Sequence, residues 1–133
     1  MITGVADTHT IIWYLYNDPG LSSTARSRIE TTLANGDQIA ISSITLVEIV
    51  YLIERGRIPT ESLSSLATEL NNSASGLVEI SVNLSVVRAL TNVDALKVPD
   101  MPDRIVAATA LFLGVPVISR DRKIQLSGIT TIW

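Results

Sequence analysis

The stretch Pro102–Asp121, PDRIVAATALFLGVPVISRD, reads as one helix, one stop and one strand. Proline suits the first turn of a helix, where its missing N–H has no partner to lose. Ala107, Ala108 and Ala110 keep that helix slim enough to pack closely on a sheet, and Gly114 ends it. Val115 to Ser119 is then an apolar run of strand length. An acid stands at each end of the unit: Asp103 in the first helical turn, Asp121 just past the strand. Apolar strands alternating with longer segments of helical period are the pattern of an α/β domain with a mainly parallel sheet.

The rest of the chain extends the same alternation. Residues 2–6 are expected as a first strand, with Gly4 its weak point, and 8–17 as a helix that Asp18-Pro19-Gly20 terminates. Ser22 or Ser23 caps a helix over about 23–34, and Gln38 to Ile41 is a second strand. Ser42 and Ser43 open a helix closed by Arg55-Gly56-Arg57, and Pro59-Thr60 starts another over 60–71. A third strand follows at 77–80, a helix at 83–91, and the longest irregular stretch at 92–101. Beyond Asp121 come a turn of helix at 122–126 and a last strand at 130–133. Short connections and right-handed crossovers then predict a three-layer αβα sandwich on a mainly parallel sheet of about five strands, as one domain over 1–133.

Composition narrows the chemistry. With no cysteine and one histidine, zinc-thiolate and nitrogen-rich metal sites are excluded, so any metal must be held by oxygen. A net charge of −3 argues against broad, sequence-independent nucleic-acid binding. The basic residues are nevertheless unevenly placed: Arg104, Arg120, Arg122 and Lys123 all flank Asp103 or Asp121. The 47% hydrophobic content without a run long enough to span a bilayer predicts a soluble, cytoplasmic protein, with an apolar surface covered by another chain, expected as a homodimer.

Four acids carry the functional reading: Asp7, Glu48, Asp103 and Asp121, each at or near the polar end of an apolar segment. In open α/β sheets ligands bind beyond the carboxyl ends of the strands. Asp7 follows the first strand and Asp121 the fourth, and all four acids converge there if the long loop before Asp103 returns to that edge. Such a cluster calls for a hard cation, Mg²⁺ or Mn²⁺, with Asp7 and Asp103 as principal ligands. Glu48 and Asp121 would complete the catalytic set, Glu48 as a candidate base. Arg104, Arg120 and Arg122 are candidate contacts for a polyanionic substrate, and Thr8, Ser119 and Asp100 are supporting groups. Each acid also has an ordinary alternative: Asp7 as a helix N-cap, Glu48 in a capping box with Thr45, Asp103 answering a helix dipole, Asp121 as a turn residue. His9 reads chiefly as a first-turn residue and Trp13 as core or interface.

At these residues the chain resembles the PIN-domain family, and more narrowly its VapC-type toxins. Asp7-Thr8-His9-Thr10-Ile11-Ile12-Trp13 is similar to the opening segment of one subgroup, and Ser42 to Ile49 to the second acidic motif. Pro102 to Ala110 and Ser119-Arg120-Asp121 resemble the third and fourth. Val47 stands where the subgroup often has Trp, and Ser119 where Thr is frequent. The resemblance implies a metal-dependent endoribonuclease acting on RNA, with the four acids as its catalytic set and a small antitoxin protein as its partner. A catalytically weak PIN-like module that mainly binds a partner, through a groove on the helix pair from 43 to 71, is the alternative. Receiver domains and haloacid-dehalogenase-type phosphatases fit poorly, because a single Asp7 stands after the first strand and His9 occupies the place of a second aspartate.

Overall fold

The computed structural model describes all residues, Met1–Trp133. The chain runs β1 (Ile2–Ala6), α1 (Thr8–Leu15), α2 (Ser23–Ala34), β2 (Gln38–Ser42), α3 (Ser43–Glu54), α4 (Ser62–Asn71), β3 (Leu77–Ile80), α5 (Leu84–Leu90), α6 (Met101–Leu113), β4 (Val117–Ile118), α7 (Arg122–Leu126) and β5 (Thr131–Ile132). The five strands pair in the order β3-β2-β1-β4-β5, and every pair is parallel. The sandwich expected from the alternation is therefore the architecture found.

Alternation along each strand builds two cores, because successive side chains point to opposite faces of a sheet. Val5, Ala40 and Val117 face α5, α6 and α7 and pack with Val86, Ala107, Ala108, Ala110 and Ile124. Ala6, Ile39, Ile41 and Ile118 face the other way, against Ile11 and Ile12 of α1, Ile29 of α2, Ile49 of α3 and Leu66 of α4. The three alanines of α6 are fully buried, which is how that helix lies so close to the sheet.

Several boundaries shift by a residue or two from expectation, and at β4 and α4 the cause is plain. The fourth strand is only Val117–Ile118. Val115 N–H turns back to Ala110 O at 3.1 Å to close the helix, and Pro116 has no N–H to offer, although its carbonyl still accepts from Val5 N–H at 3.0 Å. Helix α4 begins at Ser62 rather than 60, because Ser62 N–H (3.1 Å) and hydroxyl (2.7 Å) both bond Pro59 O in a preceding turn. Gly4, read as a weakness in β1, sits beside a register shift where a Cβ would lie 3.3 Å from Ile118 Cδ1, so its small size serves the close approach.

The order of strands places the site. β1, β2 and β3 step outward in one direction, after which the chain returns to lay β4 and β5 on the other side of β1. The switch point lies between β1 and β4, and the crevice beyond their carboxyl ends is where such sheets receive ligands. The 92–101 segment does return to that edge. Val93 and Val98 bury against the α5–α6 side, and the Arg104 side chain ties the segment down through Val93 O and Leu90 O, both at 3.0 Å.

Candidate active site

Strands that end at the switch point carry their acids straight into the next helix. Asp7 is the N-cap of α1, its Oδ1 accepting from Thr10 N–H at 2.9 Å. Asp121 caps α7 through Ile124 N–H at 2.9 Å. Asp100 caps α6 through Asp103 N–H at 3.2 Å. The capping role and convergence on one crevice are thus the same fact for Asp7 and Asp121: a carboxylate held by a helix N-terminus is fixed in orientation and keeps lone pairs for another ligand.

Ser119 joins the two sides of the switch point. Its buried hydroxyl donates to Asp7 Oδ2 and accepts from Asp121 N–H at 3.0 Å. Thr8, also buried, donates to Glu48 Oε1 and lies 3.1 Å from the Thr45 hydroxyl, so α1 and α3 meet through hydroxyls. This arrangement removes the capping-box alternative for Glu48. The N-cap of α3 is Ser42, which accepts from Ile44 N–H at 3.2 Å, and Thr45 already lies inside the helix.

Asp7, Glu48, Asp103 and Asp121 all line one crevice of about 340 Å³, with Asp100 as a fifth acid. No base pairs with them: the two ion pairs of the chain join the N-terminus to Asp37 and Arg26 to Glu30. The consequence is concentrated on Asp103, whose carboxyl is pushed up to about 7 by burial first, then by Asp121, Asp100, Glu48 and Asp7. Burial also raises Glu48; the Thr8 hydrogen bond opposes this, Asp100 and Asp7 add to it, and His9 acts against it. A half-buried group of like charges held near one another is a setting that a cation would relieve. The donors are all oxygen, which suits a hard divalent ion. No three acids or histidines are drawn tightly enough to grip an ion directly.

The arginines separate into three fates. Arg120 lines the crevice, with its guanidinium carbon 4.7 Å from the centre of the Trp13 ring. Arg122 is exposed in the first turn of α7, outside the crevice wall. Arg104, read from its position beside Asp103 as a substrate contact, is instead committed to the carbonyls of Val93 and Leu90. Adjacent residues on a helix point about 100° apart, so a neighbour in sequence need not share a crevice.

Two residues discounted from the sequence are crevice walls: His9 and Trp13. Their rings lie 5.6 Å apart, as expected for an i, i+4 pair on one helix face. The signal that could have found them is this spacing counted from Asp7, which places both on the side of α1 that the acid caps.

Comparison with known proteins agrees with this fold. The sequence profile of the PIN domain matches residues 5–127. The chain is 25% identical over 125 residues to Ribonuclease VapC22 of Mycobacterium tuberculosis, covering 94% of this chain and 92% of that protein. Among solved structures it superposes on VapBC2 from Rickettsia felis, bound to a promoter DNA fragment, with a TM-score of 0.71 and 18% identity over 98% of this chain and 97% of that one. It also superposes on a toxin-antitoxin complex from Klebsiella pneumoniae, with a TM-score of 0.59 and 20% identity over 92% and 90% of the respective chains.

Proposed function

The chain belongs to the PIN-domain family, and from that premise we propose that it is a divalent-metal-dependent endoribonuclease, the toxin of a VapBC-type pair. The observation that carries the reading is the crevice at the switch point, walled by five acids with no ion-pair partner and raising Asp103 to about 7. The similarity to a protein named as a ribonuclease supports the choice of RNA over other phosphodiesters.

In this reading Asp7 and Asp103 would hold Mg²⁺ or Mn²⁺, with Asp121 and Glu48 completing the set. When bound, the ion would offset the negative charge of the crevice, polarise the phosphodiester and make water a better nucleophile at neutral pH. Glu48, whose affinity for a proton burial has raised, accepts the proton of the attacking water. Ser119 and Thr8 keep Asp7 and Glu48 in fixed orientations, so that a ligand meets carboxylates already placed for it. Arg120 contacts the RNA backbone, with Arg122 as a second contact outside the crevice.

The exposed apolar residues Val47, Val50 and Tyr51 of α3, Leu84 and Val87 of α5, and Met101 support a homodimer. The solved complexes that share the fold support an antitoxin as a further partner. No helix is long and apolar enough to cross a membrane, and a cytoplasmic setting accords with an RNA substrate.

The test is RNA cleavage by the purified chain with Mg²⁺, with chelator, and with Asp7→Asn. Asparagine caps a helix about as well as aspartate, so the fold should survive while cleavage falls by about 100-fold or more. Undiminished, chelator-resistant cleavage by the variant would refute the metal assignment. A folded parent without metal-dependent cleavage would leave the partner-binding module as the better reading.

A further inference from the structure

Arg120 is the one arginine or lysine in a wall of acids, and it pairs with none of them. Its guanidinium carbon instead sits 4.7 Å from the Trp13 ring centre. Trp13 is in turn fixed from several directions. Trp133 meets it with ring centres 5.9 Å apart and planes inclined by 56°, and His9 meets it at 5.6 Å and 51°. Gly20 packs on the ring itself, since a Cβ there would lie 3.1 Å from Trp13 Cε2 and 3.2 Å from Cδ2. Residues from α1, from the loop after it, from the end of β4 and from beyond β5 therefore build one cluster around Trp13, which with His9 and Arg120 forms part of the crevice wall.

The arrangement answers a physical problem. A long, exposed arginine beside several half-buried carboxylates would ordinarily fold onto one of them in a forked pair, which satisfies its donors and neutralises the acid. An aromatic face holds a guanidinium flat and leaves the in-plane N–H groups unengaged. We propose that Trp13 is a positioning residue: it keeps Arg120 off the carboxylates and presents its free donor edge to a backbone phosphate of an RNA strand entering the crevice. This rests on the ribonuclease reading and deepens it by separating the two charge signs of the site. The acids stay available to a cation, and the arginine stays available to the anion. The planar cation matters as well as the charge, because a lysine ammonium has neither the flat face nor the fork.

The test uses the full chain, a fluorogenic single-stranded oligoribonucleotide and Mg²⁺, over a series of salt concentrations. Trp13→Leu and Arg120→Gln should each raise KM about fivefold with kcat within about twofold, and each should flatten the salt dependence by roughly 0.7 in log–log slope, the loss of one phosphate contact. The double variant should be no worse than Arg120→Gln alone, because the tryptophan acts through the arginine. Trp13→Phe should retain most of the affinity and Arg120→Lys should not; melting temperatures identify any variant that has lost its fold. Additive losses, an unchanged salt slope or full activity of Arg120→Lys would overturn the proposal while leaving the nuclease standing. If the unaltered chain does not cleave, the nuclease reading fails, and anisotropy of the same RNA with the same variants still decides the stack: a shared, non-additive loss of binding supports it, and unchanged or absent binding overturns it.

Discussion

The two ends of the sheet are built on opposite rules. At the carboxyl end, five acids face one crevice without an ion pair among them. At the other end, a hollow of about 290 Å³ is walled by Leu111, Val115, Pro116, Ile129 and small neighbours, with no charged side chain. A single helix, α6, reaches both. Its first turn holds Asp100 and Asp103 in the crevice, and its last closes on Gly114, whose φ of 70° is the left-handed cap that glycine adopts without strain. The apolar end is what stability alone would produce. The acidic end concentrates like charge that folding must overcome, and such local conflict is expected where a site serves a ligand rather than the fold.

That contrast can be broken from either side. After the loss of Asp7 itself, the largest change is expected from Ser119→Ala, which removes the hydroxyl joining Asp7 to Asp121 without altering any charge. Cleavage should fall by about 10- to 100-fold in steady-state assays, in line with the loss of a group that orients a ligand. Normal kinetics would mean that the helix caps alone orient the two acids. Arg104→Ala should act the other way. Loss of its bonds to Val93 O and Leu90 O should cost about 2 kcal/mol in denaturant unfolding, with KM for RNA changing less than for Arg120→Gln. A larger KM effect for Arg104 would reverse the roles assigned to the two arginines.

The smallest effect sharpens the comparison most directly. The folded Asp103 carboxyl titrates near 7 against an ordinary 3.8. Below the ordinary value it is protonated in both folded and unfolded chains, and no penalty arises. As pH rises from about 4 to about 7 the unfolded chain releases its proton first, so stability is lost across that window and stays low above it. Asp103→Asn should therefore be more stable than the parent in chelator at pH 8, by about 1 kcal/mol after discounting for solvent screening. The gain should vanish near pH 4. A variant less stable at both pH values would show that the carboxylate supports the fold rather than straining it.

Much of this is legible in the sequence. Ile2–Ala6, Ser23–Ala34 and Leu77–Ile80 stand where periodicity and caps put them, because both signals act within a few residues. Ser22 was recognisable as a cap from the helical run behind it. The capping-box alternative for Glu48 fails although Thr45 and Glu48 have the right spacing, because Ser42 three residues earlier holds the actual cap, where β2 passes directly into α3. Arg104 misled because adjacency to an acid was taken as sharing its surroundings. His9 and Trp13 were undervalued because an aromatic on a helix is usually core, and nothing local reveals which helix face looks into a crevice.

The sequence by itself determined the kinds of element, their order and the placement of acids at the starts of helices. These follow from short-range preferences of backbone and side chain. Only the tertiary structure decided that β4 returns beside β1, that Ser119 thereby bonds Asp7 across the switch point, and that Arg120 lies on Trp13 while Arg104 turns to carbonyls. It also decided which of the acids carries the raised affinity for a proton. Desolvation and Coulomb repulsion depend on distances between groups far apart in the chain, and no local pattern encodes those distances.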